Sequence, residues 1–147
     1  MNFQEVKEEL IQAAKAHPLY QNVIKTNGNI VIGKGWLDSP EFLFIGEAPG
    51  QNEMQQGIPF CGKSGVLLDG WISLLPKGTK VAVINSVPII PLNEEDNIRP
   101  PTDEEIAYFK PYVAKLIETV KPKYIICVGK SAAKCLGINF KNTEHRK

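Results

Sequence analysis

Three polar positions in this chain each stand at the end of an apolar run. Glu47 follows Glu41-Phe42-Leu43-Phe44-Ile45-Gly46, Asn85 closes Val81-Ala82-Val83-Ile84, and Gly129-Lys130-Ser131 follows Tyr124-Ile125-Ile126-Cys127-Val128. Unbroken rather than alternating hydrophobicity marks strands buried on both faces, as in a parallel sheet. In an open α/β sheet the carboxyl ends of the strands converge on the ligand crevice. The spacing therefore predicts one site holding a carboxylate, an amide that both donates and accepts, and a small polar turn, without naming its ligand. Two of these residues also have a plainer use, Glu47 as a cap on a turn beside glycine and Asn85 as a turn or helix-cap residue; Phe60, an aromatic between Pro59 and Gly62 that could offer a flat face to a ligand, is in isolation more often core. Lys63-Ser64-Gly65, near a helix start, suits contact with a phosphate through side chains and backbone N–H groups, and equally an ordinary solvated turn. Gly129-Lys130-Ser131 lacks the upstream glycine spacing of a P-loop and reads as closing the groove from the third strand.

Metal and thiol chemistry find little support. Cys61, Cys127 and Cys135 form no CxxC pair and read as reduced thiols. His17 and His145 are the only histidines, so neither a structural zinc nor an iron–sulfur site is expected. The expected cofactor is none.

The elements that must hold these residues follow from periodicity. Phe3, Val6, Leu10 and Ala13 or Ala14 predict an amphipathic helix over 3–16 that stops before His17-Pro18. Leu19 to Asp38, rich in Gly and Asn, reads as loop with a short strand at Ile30-Val31-Ile32. Strands are expected at 41–46, 81–85 and 124–128, and 51–63 as loop. Ser64 is the expected cap of a helix burying Leu67, Leu68, Trp71, Ile72 and Leu75. Pro88 to Pro101 reads as a long loop. Thr102 and Glu105 form a capping box for a helix to Val120 with Ile106, Phe109, Val113, Leu116, Ile117 and Val120 inward and a kink at Pro111. A short helix through Ala132, Ala133, Cys135 and Leu136 follows the last strand, and 139–147 reads as a polar tail. Repeated strand–helix units predict an α/β fold, a three-layer α/β/α sandwich with a short, mainly parallel central sheet.

Length and composition set the outer bounds. At 147 residues the expectation is a single domain over 1–147, minimal or C-terminally shortened. No stretch reaches the roughly 20 apolar residues of a membrane span, and the N-terminus has neither a basic nor an apolar leader segment, so a cytoplasmic location and no membrane partner are expected. The formal net charge of +1 is unlike that of a strongly basic nucleic-acid packager, yet a local groove can be basic when the whole is neutral.

Gly46-Glu47-Ala48-Pro49-Gly50, followed by Gly57-Ile58-Pro59-Phe60-Cys61-Gly62-Lys63-Ser64-Gly65-Val66-Leu67-Leu68, resembles the first signature of uracil-DNA glycosylases, nearest the bacterial and archaeal branch called family four. The resemblance extends over about 30–137, through Val31-Ile32-Gly33-Lys34-Gly35, Asn85, Arg99-Pro100-Pro101-Thr102-Asp103-Glu104-Glu105 and Lys121 to Ala133. It implies a glycosylase that hydrolyses the N-glycosidic bond of uracil, or a related deaminated base, in DNA for base excision repair. The implied catalytic residues are Glu47, organising the hydrolytic water, and Asn85, reading the base edge. Gly46, Ala48, Phe60 and Asn85 would form the substrate pocket, with Phe60 stacking on the extruded base. Candidate DNA-phosphate contacts are Lys63, Ser64, Gly65, Lys130 and Ser131. The implied partner is uracil-containing DNA, single- or double-stranded, bound by a monomer.

The pattern breaks in two places. The family branch carries four cysteines for a [4Fe–4S] cluster, and this chain has no matching set. The H-P-S-like motif that supplies the family's histidine has no counterpart in Ile138 to Lys147, where His145 is followed by Arg146 and is not assigned that role. The alternative expectation is a catalytically weak or inactive DNA- or protein-binding module. An α/β hydrolase or transferase acting on a free nucleoside or nucleotide is a third, weakened by the lack of a polyphosphate loop.

Overall fold

The three apolar runs become the parallel part of one sheet. A computed structural model describes residues 2–58 and 62–136, the side chains of Lys63, Ser64 and Leu67 excepted. The described elements, in chain order, are α1 (Phe3–Lys15), α2 (Tyr20–Thr26), β1 (Gly33–Gly35), β2 (Phe42–Gly46), α3 (Gln51–Gln56), α4 (Lys63–Ile72), β3 (Val81–Asn85), α5 (Asp103–Val120), β4 (Tyr124–Cys127) and α6 (Lys130–Cys135). The sheet order is β1-β3-β2-β4. Strand β2 runs parallel to both β3 and β4, whereas β1 lies antiparallel on β3.

Side chains alternate across a strand, and this divides the core into two layers. Leu43 and Ile45 of β2, with Ala82 and Ile84 of β3, pack against Val6 and Leu10 of α1, Phe109, Val113 and Leu116 of α5, and Ala132 and Cys135 of α6. On the opposite face Phe44 and Val83 pack against Leu68 and Ile72 of α4. The result is the α/β/α sandwich with a mainly parallel sheet that the strand–helix alternation predicts.

Both long helices begin with reciprocal caps. Asn2 Oδ1 accepts from Glu5 N at 2.9 Å while Glu5 Oε1 accepts from Asn2 N at 3.0 Å. Thr102 and Glu105 do the same at the start of α5, at 3.1 and 2.8 Å. Each box satisfies two N–H groups that a helix start leaves without intrahelical partners. Arg99 adds a forked pair to the Glu105 carboxylate, both bonds 2.8 Å. Lys121, in the left-handed region at φ 54°, closes α5.

Several local expectations need correction. The stretch after Pro18 folds as α2, not loop, since Leu19 and Val23 are buried and Asn22 donates to Ile90 O at 2.8 Å. Val31 and Ile32 are buried and Ile30 half-buried beside the extension of β3, with Val31 N donating to Pro88 O at 2.7 Å, but the ladder itself starts at Gly33. Residues 51–56 form α3 rather than loop. Helix α4 is capped by Gly62, so Ser64 lies inside the helix. Trp71, expected inward, is 40% exposed, because α4 turns Leu68 and Ile72 to the sheet instead. Residues 139–147 lie outside the described residues.

Candidate active site

Parallel register brings the ends of β2 and β3 level. Gly46 pairs with Asn85, and beyond this pair the two chains continue side by side. Ser86 N and Ser86 Oγ both donate to Gly46 O, at 2.9 and 2.7 Å, and Val87 N donates to Glu47 O at 3.0 Å. On the other side Val128 N donates to Ile45 O at 2.8 Å, carrying β4 to the same level. Glu47, Asn85 and the Gly129-Lys130-Ser131 turn thus meet at the carboxyl edge of the sheet, the location expected from the three runs.

Their environments differ in ways that matter chemically. Asn85 is only 5% exposed, and its amide nitrogen has no hydrogen-bond partner among the described residues. A buried donor without a partner costs about 1–3 kcal/mol, and such groups in native folds call for an explanation. Glu47 is exposed, and its Oε2 accepts a 2.7 Å hydrogen bond from Ser131 Oγ. Ser131 itself is 6% exposed, while Lys130 beside it is exposed. Gly129, at φ 93°, makes the turn that starts α6, a backbone conformation that side-chain-bearing residues rarely adopt. Gly46 is buried and Ala48 half-buried against the larger core layer.

Glu53, which sequence reasoning passed over, braces the site from below. It is 7% exposed on α3, and its two oxygens accept from Gly50 N and Gly62 N, both at 2.9 Å. The carboxylate so joins the loop after Glu47 to the segment that opens α4. A Cβ on Gly50 would stand 2.7 Å from Glu53 Oε1, so a larger residue there would push the carboxylate from its place. The signal was present as Gly-x-x-Glu before a helix, half of a capping box. It was obscured because 51–63 has polar loop composition.

Phe60 and Cys61, like His145, lie outside the described residues. Lys63 and Ser64 open α4, and Gly65 N donates to Gly62 O at 3.0 Å. Cavities lined by described residues lie elsewhere. One of about 560 Å³ sits between Phe3, Leu37, Asp38, Lys115 and Lys121, at the amino ends of β2 and β4. Ligand sites of open parallel sheets occur at the opposite ends, and the convergence of Glu47 and Asn85 identifies the candidate site better than cavity size.

A [4Fe–4S] cluster needs four thiolates, and the chain has three cysteines in all. Cys135 is buried in α6, and burial pushes its thiol up to about 11, so it is protonated at neutral pH. Among the described residues no group of three or more His, Cys, Asp or Glu could hold a metal ion. The residues present do not fit the cluster.

Comparison with known proteins places the chain in a family. Residues 33–146 match the family model of the uracil DNA glycosylase superfamily, and the chain belongs to that superfamily. It is 34% identical over 145 residues to a type-4 uracil-DNA glycosylase of Sulfurisphaera tokodaii, covering 95% of this chain and 61% of the relative. A type-4 uracil-DNA glycosylase of Thermotoga maritima is 34% identical over 131 residues, 87% of this chain and 62% of that one. Another, from Saccharolobus solfataricus, is 36% identical over 114 residues, 76% of this chain and 50% of the relative. The chain thus spans about half to three fifths of the length of these curated relatives.

Proposed function

We propose that the chain carries the base-recognition site of a glycosylase that removes uracil, or a related deaminated base, from DNA. The observation that carries this reading is the buried, unpartnered amide nitrogen of Asn85 beside Glu47. An extruded uracil offers a carbonyl oxygen to that nitrogen and a ring N–H to the amide oxygen. Cytosine reverses the pattern at both positions, so an amide held in this orientation would reject it. Phe60, by its place in the motif, stacks on the face of the base. As the glycosidic bond breaks, positive character develops on the sugar and negative charge on the departing uracil. Glu47 orients a water toward the sugar, and hydrogen-bond donors around the base stabilise the leaving anion. Lys63, Ser64 and Lys130 are the proposed phosphate-contacting set, on either single- or double-stranded DNA, for a single domain acting as a monomer; Gly65, expected among them, is buried with its N–H donated to Gly62 O.

The test is a single-turnover assay with uracil-containing single- and double-stranded DNA, read as abasic sites. Wild-type protein should release uracil, and Asn85→Ala should slow release by roughly 100-fold or more, as loss of a key donor to a developing anion does, with an unfolding midpoint no lower than that of wild type, since the variant removes an unpartnered buried donor. Retained DNA binding without abasic sites, at high protein excess, would leave a binding module in place of an enzyme.

A further inference from the structure

We infer that Ser131 is a positioning residue for Glu47, and that its hydroxyl acts on the carboxylate rather than on DNA. The inference rests on the glycosylase reading of this site and assigns a role within it. Three observations support it. Ser131 Oγ lies 2.7 Å from Glu47 Oε2, close enough for a strong charge-assisted bond. Ser131 is 6% exposed, whereas the neighbouring Lys130 is exposed, so the serine points inward and the lysine is the one open to a polyanion. The two residues are 84 positions apart, Glu47 just after β2 and Ser131 in the first turn of α6 after β4, so the contact exists only once β2 and β4 are paired.

The chemistry follows from what a glutamate on a loop lacks. Its side chain has three rotatable bonds, and an exposed carboxylate samples many orientations. A hydrogen bond to Oε2 from a buried, helix-anchored hydroxyl selects one of them. Ser131 holds Oε2, and Oε1 is assigned the bond from the hydrolytic water. Pre-orientation of this kind acts on the rate of the chemical step, not on DNA affinity. A phosphate contact would do the reverse, weakening binding and leaving the step intact.

The experiment measures single-turnover uracil release and DNA affinity for wild type, Ser131→Ala, Ser131→Thr, Glu47→Ala and the Ser131→Ala/Glu47→Ala double variant. Ser131→Ala should slow release roughly 10- to 100-fold, the range for losing a hydrogen bond to a charged group, with DNA affinity unchanged. Ser131→Thr, which keeps the hydroxyl, should recover most of the rate. In the Glu47→Ala background Ser131→Ala should cost nothing further, because the group it positions is gone. An equal slowing in both backgrounds, or weakened DNA binding at an unchanged rate, overturns the assignment while leaving the glycosylase reading intact. Failure of the wild-type protein to release uracil overturns both.

Discussion

His17 shows how a residue that belongs to no site can still govern behaviour in solution. Its ring lies against Tyr108 and Phe109, at 4.5 and 5.3 Å between centroids, and its Nδ1 accepts from Leu19 N at 3.0 Å. Burial lowers its pKa from 6.5, and the nearby Glu105 carboxylate opposes this only in part. The unfolded chain therefore binds the proton more readily than the folded one, and stability rises with pH across the interval between the two values. The contribution is complete above pH 6.5 and is lost as pH falls through the folded-state value. Chemical unfolding between pH 7.5 and 5 should show this decline, and His17→Phe should flatten it. None of this was legible in the sequence, where His17 marks only the end of a helix. The roles of Glu47 and Asn85 as strand-end residues were legible, because unbroken apolar runs announce buried strands. The Ser131–Glu47 bond was not, since nothing local in Gly129-Lys130-Ser131 says which way the hydroxyl turns.

Elements were readable where periodicity was long and their caps were side chains. Helix α5 is the clearest case, with Thr102, Glu105 and the apolar stripe from Ile106 to Val120 all as expected. Thr102→Ala should cost about 1 kcal/mol, as loss of an N-cap does. Glu105→Ala should cost more, about 2–3 kcal/mol, because it leaves the Arg99 guanidinium without its forked partner as well as opening the cap. Both are measurable by urea unfolding. Although burial on its own would raise the Glu105 pKa, the hydrogen bonds from Arg99 and Thr102 outweigh it and hold the value below the usual 4.5. That stabilisation is complete above pH 4.5 and disappears as the carboxylate protonates at lower pH, a loss the Glu105→Ala protein should not show. Short helices escaped because their signals lie outside themselves. Helix α2 has seven residues, ended by Asn27 in the left-handed region, and its burial depends on contacts with Ile90 far along the chain. Helix α3 is held by Glu53 and two backbone N–H groups, not by an apolar stripe.

For the whole molecule, near-neutral charge has a kinetic and an ionic consequence. With 17 basic against 16 acidic side chains, a net charge of +1 supplies little long-range attraction to a polyanion. On the proposed glycosylase reading, DNA affinity should therefore depend on salt through local phosphate contacts alone, each adding about 0.9 to the slope of log K against log salt on duplex DNA. Lys130→Ala should weaken binding to all sequences about equally and reduce that slope by about one, read by fluorescence anisotropy across a salt series. A total charge cannot show where charges lie, and so composition left the partner open. It was the motif spanning 46–68 that pointed to DNA.

Glu53 also has a bearing on how this chain can change over generations. Because one carboxylate holds the backbone of Gly50 and Gly62 together, the stretch from Glu47 to α4 cannot vary in length piecemeal. An insertion on either side of α3 would pull one amide away from its oxygen, and no single compensating residue could restore both. Insertions and deletions should instead accumulate in an exposed turn such as 76–78, where no described side chain ties two distant segments to each other. Fixed spacing between the two halves of the signature is then a property of one buried glutamate, and spacing would drift before residue identity did in any descendant that lost it.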